Sequence, residues 1–202
     1  MARQQTWREL IEENPGHSTW YVERFRAMAE AGDDLAGEAR MIDAMAPRNA
    51  RILDAGCGPG RVGGLLALHG HEVVGVDLDP VLVAAAVEDW PGPVWLVGDL
   101  AELDLPALGI EDGFDVVVCA GNVMAFVDPA ARVDVLRSLA GHLRADGRIA
   151  IGFGAGRGYA FDDFRSDVAA AGLAVDVELA TWDLRPLTPD ADFIVAILRA
   201  AD

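Results

Sequence analysis

The chain has 202 residues, of which 52% are hydrophobic and 24% charged, a balance typical of one globular domain. Its 16 basic residues are all arginine, and with 33 acidic residues they give a net charge of −17. Such a charge repels phosphate backbones, and no apolar run reaches the roughly 18 residues of a membrane span. We therefore expect neither nucleic acid nor a membrane as a partner.

The cysteines and the N-terminal sequence indicate a cytoplasmic protein. Cys57 and Cys119 follow apolar runs, and two cysteines form neither a disulfide scaffold nor a metal site. The opening MARQQTWRELIEENPG contains no apolar stretch of signal-peptide length. We expect a monomer or homodimer without a bound metal.

Residues 1–46 show helical spacing, with Ser18 and either Asp33 or Asp34 as expected N-caps. Pro47 ends this region. These helices can cover only the following sheet or a site upon it. The predicted organisation is a helical lid at 1–46 and a second domain at 47–202.

From Arg51 onward, apolar runs alternate with helical segments. The runs lie at 51–55, 71–77, 93–98, 114–120 and 147–153, and the helical segments at 61–70, 80–90 and 129–147. The runs are apolar on both faces, which is typical of strands between two helical layers. This pattern predicts an α/β fold with a doubly wound, mostly parallel sheet. Two final strand-like segments are separated only by RPLTPD, too short for a helical crossover, so they should pair antiparallel.

The first strand leads into a glycine-rich loop, ILDAGCGPGRVGG, at 52–64. Ligands of open α/β sheets bind beyond the carboxyl ends of the strands, and Gly56, Gly58 and Gly60 let a ligand approach bare backbone there. The hexapeptide at 58–63 also matches the dinucleotide pattern G-x-G-x-x-G. Asp54, two residues before the loop, favours a cationic ligand over the pyrophosphate that this pattern would bind.

The next two strands also end in acids. VVGVDLDP places Asp77 twenty-one residues after Gly56, and VGDL places Asp99 after the third run. Either acid alone could be a helix or turn cap. At successive strand ends, contact with one ligand is the favoured interpretation.

Together with FDVVVCAGNVMAFV at 114–127, these segments resemble the ordered motifs of class I S-adenosylmethionine-dependent methyltransferases. The resemblance covers residues 48–155 and implies a seven-stranded sheet of order 3-2-1-4-5-7-6 with the last strand antiparallel. It implies that Asp77 binds the ribose hydroxyls and that Asp99 lies beside the adenine amino group, with Leu100 against the ring. The implied cofactor residues are Asp54, Gly56, Cys57, Gly58, Gly60, Arg61, Asp77, Leu78, Asp99, Leu100, Ala120 and Gly121, with Tyr21 and Arg24 from the lid.

Substrate contacts are expected on the same edge. In the family, the segment after the fourth strand faces substrate, which assigns that role to Asn122. CAGNVMAF lacks the Asp/Asn-Pro-Pro-Tyr/Phe tetrapeptide of enzymes that methylate bases and amides, which argues against that substrate class. The other candidates are His17 and Trp20 from the lid, Arg157 and Tyr159 from a flexible loop at 154–164, and Trp182 and Arg185 from TWDLRPLTPD between the last two strands.

The predicted function is transfer of a methyl group from S-adenosyl-L-methionine to a small molecule, mainly by positioning, with S-adenosyl-L-homocysteine as the product. No general base is apparent from the motifs. Two alternatives stay open: an NAD-dependent oxidoreductase using Gly58 to Gly63, and a non-catalytic domain that binds the cofactor as a sensor or interaction module.

Overall fold

The computed structural model describes residues 5–201. Seven strands form a single sheet of order β3-β2-β1-β4-β5-β7-β6, in which β7 runs antiparallel to β5 and β6. The strands are β1 Arg51–Ala55, β2 Glu72–Asp77, β3 Val94–Val97, β4 Phe114–Cys119, β5 Leu143–Gly154, β6 Leu173–Leu179 and β7 Phe193–Ala200. The predicted sheet order and the antiparallel pair are confirmed.

Eight α-helices accompany the sheet in the described part of the chain. They are α1 Trp7–Glu13, α2 His17–Glu30, α3 Gly37–Met45, α4 Arg61–Leu68, α5 Pro80–Asp89, α6 Val123–Phe126, α7 Arg132–Gly141 and α8 Phe161–Ala170. No helix within residues 5–201 is both long and apolar enough to cross a membrane.

Two hydrophobic layers bury the faces of the sheet. On one face Leu53, Val117 and Ile151 pack with residues of α7 and α8, and on the other Ile52 and Val118 pack with residues of α3 and α4. Every one of these five side chains is fully buried. The alternation of neighbours between faces explains why the strand sequences are apolar throughout.

The helix α3, which falls within the predicted lid, packs in this core. Ala39 and Ile42 are fully buried against the sheet, whereas α1 and α2 form a smaller cluster with α5 that includes Trp7 and Val22. The segment that overlies the site is therefore 5–30 rather than the whole of 1–46.

Several predicted boundaries shift. Gly16 is the N-cap of α2 and Ala36 that of α3, so neither Ser18 nor Asp33 or Asp34 has that role. The helix α7 ends at Gly141 and β5 begins at Leu143.

The helix α8 replaces part of the flexible loop expected at 154–164. Its buried residues are Phe164 and Val168, and the partly buried Phe161 packs against the same cluster. Their spacing of three and four residues is helical, so the sequence carried a signal for this helix that the prediction did not use.

Candidate functional site

A cavity of about 360 Å³ lies at the carboxyl ends of β1, β2 and β4, beneath α1 and α2. This volume falls within the roughly 300–1,000 Å³ of small-ligand sites. Trp7, Tyr21, Phe25 and Phe126 contribute aromatic surface to its lining. The cavity therefore combines an apolar wall with the polar strand ends described next.

The glycine loop after β1 approaches the cavity with strained backbone that glycine accommodates. Gly56 has φ +77° and Gly58 φ +54°. A Cβ on Gly56 would lie 2.4 Å from Cγ2 of Val123, so this glycine is needed for packing against α6. A Cβ on Gly58 would lie 3.8 Å from Cε1 of Tyr21, so bare backbone faces the ring there.

Asp54 is buried at the floor of the cavity. Its Oδ2 accepts a hydrogen bond of 2.8 Å from the backbone nitrogen of Gly63 in the first turn of α4. Burial, the largest cause, raises the pKa of Asp54 to about 7 against the lowering effect of that hydrogen bond. The carboxylate is thus poised to change charge near neutral pH, and it occupies an N–H group on which a pyrophosphate would rest.

Asp77 ends β2 beside the same loop. Oδ2 accepts from the Gly58 nitrogen at 2.8 Å and Oδ1 from the Asp79 nitrogen at 2.9 Å. Burial raises the pKa of Asp77 to about 6, with these backbone donors opposing the shift. The two donors orient the carboxylate toward the cavity, which it lines together with Asp54.

Asp99 lies at the cavity rim after β3. Oδ1 caps a 3-10 turn by accepting from the Ala101 nitrogen at 3.0 Å, and Oδ2 pairs with Nη2 of Arg8 at 2.8 Å. Asp99 thus acts as a turn cap, as the sequence allowed, and also lines the cavity. Arg8 connects α1 to this strand end.

Arg61, the first residue of α4, forms a two-pronged ion pair with Glu38. The nitrogen–oxygen distances are 2.8 and 2.6 Å, and the guanidinium also donates to the Leu35 carbonyl and lies over the Phe25 ring. Burial tends to lower the pKa of Arg61, but the Glu38 carboxylate outweighs it, so the net shift is upward. Arg61 therefore contributes a cation, paired with Glu38, to the same cavity lining as Asp54 and Asp77.

The structure brings together most of the predicted cofactor residues. Those that line the cavity are Tyr21, Asp54, Gly56, Cys57, Gly58, Arg61, Asp77, Leu78, Asp99, Leu100, Ala120 and Gly121. Cys57 is buried, and burial raises its pKa well above the ordinary value, which suits a packing residue rather than a nucleophile.

Two predicted cofactor residues lie away from the cavity. Gly60 caps α4, where a Cβ would lie 2.8 Å from the Cβ of Ala86, so it packs against α5. The exposed Arg24 points its guanidinium at the Trp20 ring, 5.7 Å from the ring centroid. Neither residue belongs to the cavity lining, and a role for either in binding the cofactor stays a prediction.

The predicted substrate residues do not line the cavity. Asn122, in the left-handed region at φ 68°, uses Oδ1 to accept from the Gly154 nitrogen at 2.7 Å and so ties the end of β4 to the end of β5. Trp20 is half exposed on the outer face of α2, and the His17 ring lies against it at a tilt of 38°, with the ring centroids 5.3 Å apart. Arg157 is exposed.

The remaining three candidates also have other surroundings. Tyr159 is 2% exposed, stacks on Phe153 and donates its hydroxyl proton to Asp167 at 2.7 Å, so it packs in the core rather than in the cavity lining. Trp182 packs over Gly152 on the sheet, and Arg185 is exposed beside Asp183.

The sequence did not reveal that α1 would line the cavity. Thr6 begins this helix with a capping box that includes Glu9, and the next two residues, Trp7 and Arg8, enter the lining. The capping pattern T-x-x-E was readable, but the partners of Trp7 and Arg8 lie more than 70 residues away.

Comparisons with known proteins identify the class to which this fold and cavity belong. A family model described as a methyltransferase domain matches residues 52–147. The solved structure of a TehB-like SAM-dependent methyltransferase from Corynebacterium glutamicum is 48% identical, with a TM-score of 0.87, over 93% of this chain and 100% of that one. The chain belongs to the class I S-adenosylmethionine-dependent methyltransferase family.

Two curated relatives match over shorter stretches. A magnesium-protoporphyrin O-methyltransferase from Rhodobacter capsulatus is 39% identical over 39% of this chain, and a ubiquinone biosynthesis O-methyltransferase from Xanthomonas axonopodis pv. citri is 27% identical over 63%. The matches span 35% and 58% of these relatives' lengths. Family membership confirms the cofactor that the resemblance implied and contradicts the dinucleotide alternative.

The residues present fit S-adenosylmethionine. Asp54 and Asp77 give the floor the negative charge that a sulfonium favours, and Gly58 presents backbone without a Cβ. The N–H group of Gly63 that a pyrophosphate would need is already bonded to Asp54. Among residues 5–201, no cluster of three or more His, Cys, Asp or Glu side chains is arranged for a metal.

Proposed function

We propose that this protein transfers a methyl group from S-adenosylmethionine to a small-molecule acceptor. The observation that carries the proposal is the convergence of Asp54, Asp77 and the Gly58 backbone on one cavity at the strand ends. When bound, S-adenosylmethionine supplies an electrophilic methyl group on a sulfonium. The residues described below would bind and orient it.

Asp77 is the proposed ligand of the ribose hydroxyls, because its two backbone donors leave further lone pairs of the carboxylate for the cavity. Asp99 and Leu100 would border the adenine. Asp54 would face the cationic portion, where a bound positive charge favours its ionised form. Arg61 replaces Arg24 as the proposed cation near the carboxylate end.

The aromatic wall would keep water from the reacting atoms. Trp7 contacts Tyr21 and Phe126 edge-on, with ring centroids 5.4 and 5.7 Å apart, so α1 is joined both to α2 and to the segment after β4. A dry cavity that aligns donor and acceptor supports catalysis by positioning. The O-methyltransferase relatives make a hydroxyl-bearing small molecule the first acceptor class to examine.

We place the protein in the cytoplasm, acting as a monomer or homodimer without nucleic acid. The free, buried thiols of Cys57 and Cys119 and the net charge of −17 support this placement.

The test is thermal unfolding of the wild type and Asp77→Ala with S-adenosylmethionine, S-adenosylhomocysteine, NADH and NADPH in parallel. A ligand at 100 times its dissociation constant stabilises the fold by about 2.7 kcal/mol, which raises the midpoint by several degrees. We expect the sulfur ligands alone to raise it, and Asp77→Ala to abolish the rise. Wild-type protein that responds to none of the sulfur ligands contradicts the proposal.

Catalysis is tested separately from binding. Incubation with S-adenosylmethionine and a panel of small hydroxyl, amine and thiol acceptors should yield S-adenosylhomocysteine only with a suitable acceptor. Cofactor binding without turnover across the panel would favour the non-catalytic alternative.

A further inference from the structure

Asp79 joins three helices through one buried carboxylate. It is 1% exposed and precedes α5, where Oδ1 accepts from the Val81 nitrogen at 2.9 Å and caps the helix. Oδ2 accepts from the indole Nε1 of Trp7 at 2.9 Å and from the hydroxyl of Ser18 at 2.5 Å. A helix cap requires only the first of these oxygens. In the part of the chain that the structure describes, the second oxygen, Oδ2, accepts hydrogen bonds only from residues of the segment 5–30.

These contacts continue into the cofactor cavity. The Asp79 nitrogen donates to Oδ1 of Asp77, and Oδ2 of Asp77 accepts from the Gly58 nitrogen. A hydrogen-bonded chain therefore runs from Trp7 and Ser18 through the two aspartates to the glycine loop. The position of α1 and α2 is connected to the carboxylate proposed to bind ribose.

Through Trp7, the hydrogen bond to Asp79 determines the shape of the cavity. It lines the cavity itself and contacts two other lining residues, Tyr21 and Phe126, in T-shaped ring pairs. Fixing its indole N–H on Asp79 fixes the plane of the ring and with it the aromatic wall. Release of Trp7 would open the cavity on the side of α1.

The attachment is suited to reversible closure. Within residues 5–201 Asp79 has no basic side chain as an ion-pair partner, so neutral donors from α1, α2 and α5 supply the hydrogen bonds to its two oxygens. If Trp7 and Ser18 moved away, water would replace their two hydrogen bonds while the Val81 cap remained. The closed and open arrangements thus exchange comparable hydrogen bonds.

We propose that Asp79 is a positioning residue whose carboxylate holds the segment 5–30 closed over the cavity, so that the walls formed by Trp7 and Tyr21 are in place when the cofactor binds. This inference rests on the proposed function for the identity of the ligand. The closure itself is measurable without any ligand.

Four single variants of the full chain separate the hydrogen bonds from general effects on the fold. Ser18→Ala removes one donor. Because alanine has a higher helix propensity than serine, any weakening of α2 in this variant would come from the lost hydrogen bond and not from helix propensity. Trp7→Phe removes the other donor and keeps an aromatic ring. Ser18→Thr retains the hydroxyl, and Thr19→Ala changes the neighbouring exposed residue of the same helix.

The experiment combines amide hydrogen exchange of the ligand-free protein with calorimetric binding of S-adenosylhomocysteine. Ser18→Ala and Trp7→Phe should each accelerate exchange in 5–30 and raise the dissociation constant about tenfold, with exchange in α7 unchanged. Ser18→Thr and Thr19→Ala should stay within about twofold of wild type in both.

The inference would be overturned if Ser18→Ala and Trp7→Phe showed the same exchange in 5–30 and the same affinity as the wild type. Acceleration that extends equally through α7 would also overturn it, because it would assign the contacts a purely structural role. If the wild type failed to bind S-adenosylhomocysteine, the proposed function would fall. The exchange measured without ligand would still decide whether Asp79 holds the segment closed.

Discussion

Oδ2 of Asp54 lies 2.8 Å from the backbone nitrogen of Gly63, so the carboxylate at the end of β1 bonds to the first turn of α4. That one contact links the strand, the helix and the cavity floor. Its energetic cost is the burial of a charge, which raises the pKa of Asp54 from 3.8 to about 7.

Replacing Asp54 with asparagine should stabilise the ligand-free protein at alkaline but not at acidic pH. Because the folded pKa lies above the unfolded one, the stability associated with Asp54 is complete below about pH 4 and is lost as the pH rises through 7. Asp54→Asn can keep the bond to Gly63 and avoids this loss, for a gain of about 1–4 kcal/mol at pH 8. Urea unfolding at pH 4.5 and 8 measures the difference, and an equal effect at both values would contradict it.

Asp77 should make binding of S-adenosylhomocysteine depend on pH near 6. Burial raises its pKa to about 6, and only the ionised carboxylate accepts freely from ribose hydroxyls. The wild-type affinity should therefore decline below pH 6. Asp77→Asn should bind S-adenosylhomocysteine at least tenfold more weakly at pH 8 and lack this decline. Any change of affinity near pH 7 that comes from Asp54 should remain.

Calorimetry from pH 5 to 8 measures both variants against wild type. The Asp54→Asn protein is the matched comparison, since it should keep the step near 6 and lose the one near 7. A decline below pH 6 that persists in Asp77→Asn would show that another group is responsible.

Gly56→Ala should be far more harmful than Gly172→Ala, although both glycines have φ +77°. A Cβ at Gly56 would meet Val123 at 2.4 Å, whereas a Cβ at Gly172 has no atom within 4 Å. Gly172→Ala thus measures the backbone strain alone, about 1–2 kcal/mol. Gly56→Ala should cost at least about 2 kcal/mol more through steric overlap and should weaken cofactor binding.

Denaturant unfolding and calorimetric titration of both variants provide the comparison. Equal losses of stability would mean that Val123 moves aside without cost, and that the loop does not require glycine for packing.

The fold and the floor of the site were predictable because their signals are local. Buried strands of a parallel sheet are continuously apolar; Asp54 and Asp77 lie in the last residues of β1 and β2, and Asp99 comes two residues after β3. Parallel strand ends meet at one edge, so chain position alone brings these acids together.

The cover of the site was less predictable because its contacts are distant in sequence. The helical pattern of α2 placed Arg24 and Tyr21 on one segment but could not tell that Tyr21 faces the cavity and Arg24 the solvent. Trp7 finds its partner 72 residues away, and no periodicity encodes that pairing. Tyr159 follows a glycine-rich segment that suggested a surface loop, yet it is buried just before α8 and bonds to Asp167 of that helix.

Arg61 and Arg24 give the final prediction, since only one of them lines the cavity. Arg61→Lys should lose the two-pronged bond to Glu38 and leave that carboxylate poorly satisfied, which should lower stability by about 1–3 kcal/mol and weaken binding of S-adenosylhomocysteine. Arg24→Ala removes an exposed cation that lies over Trp20, and it should change affinity less than twofold. Calorimetry on both variants decides between the two arginines. A large loss of affinity in Arg24→Ala with none in Arg61→Lys would show that Arg24 of α2, and not Arg61, binds the carboxylate end of the cofactor.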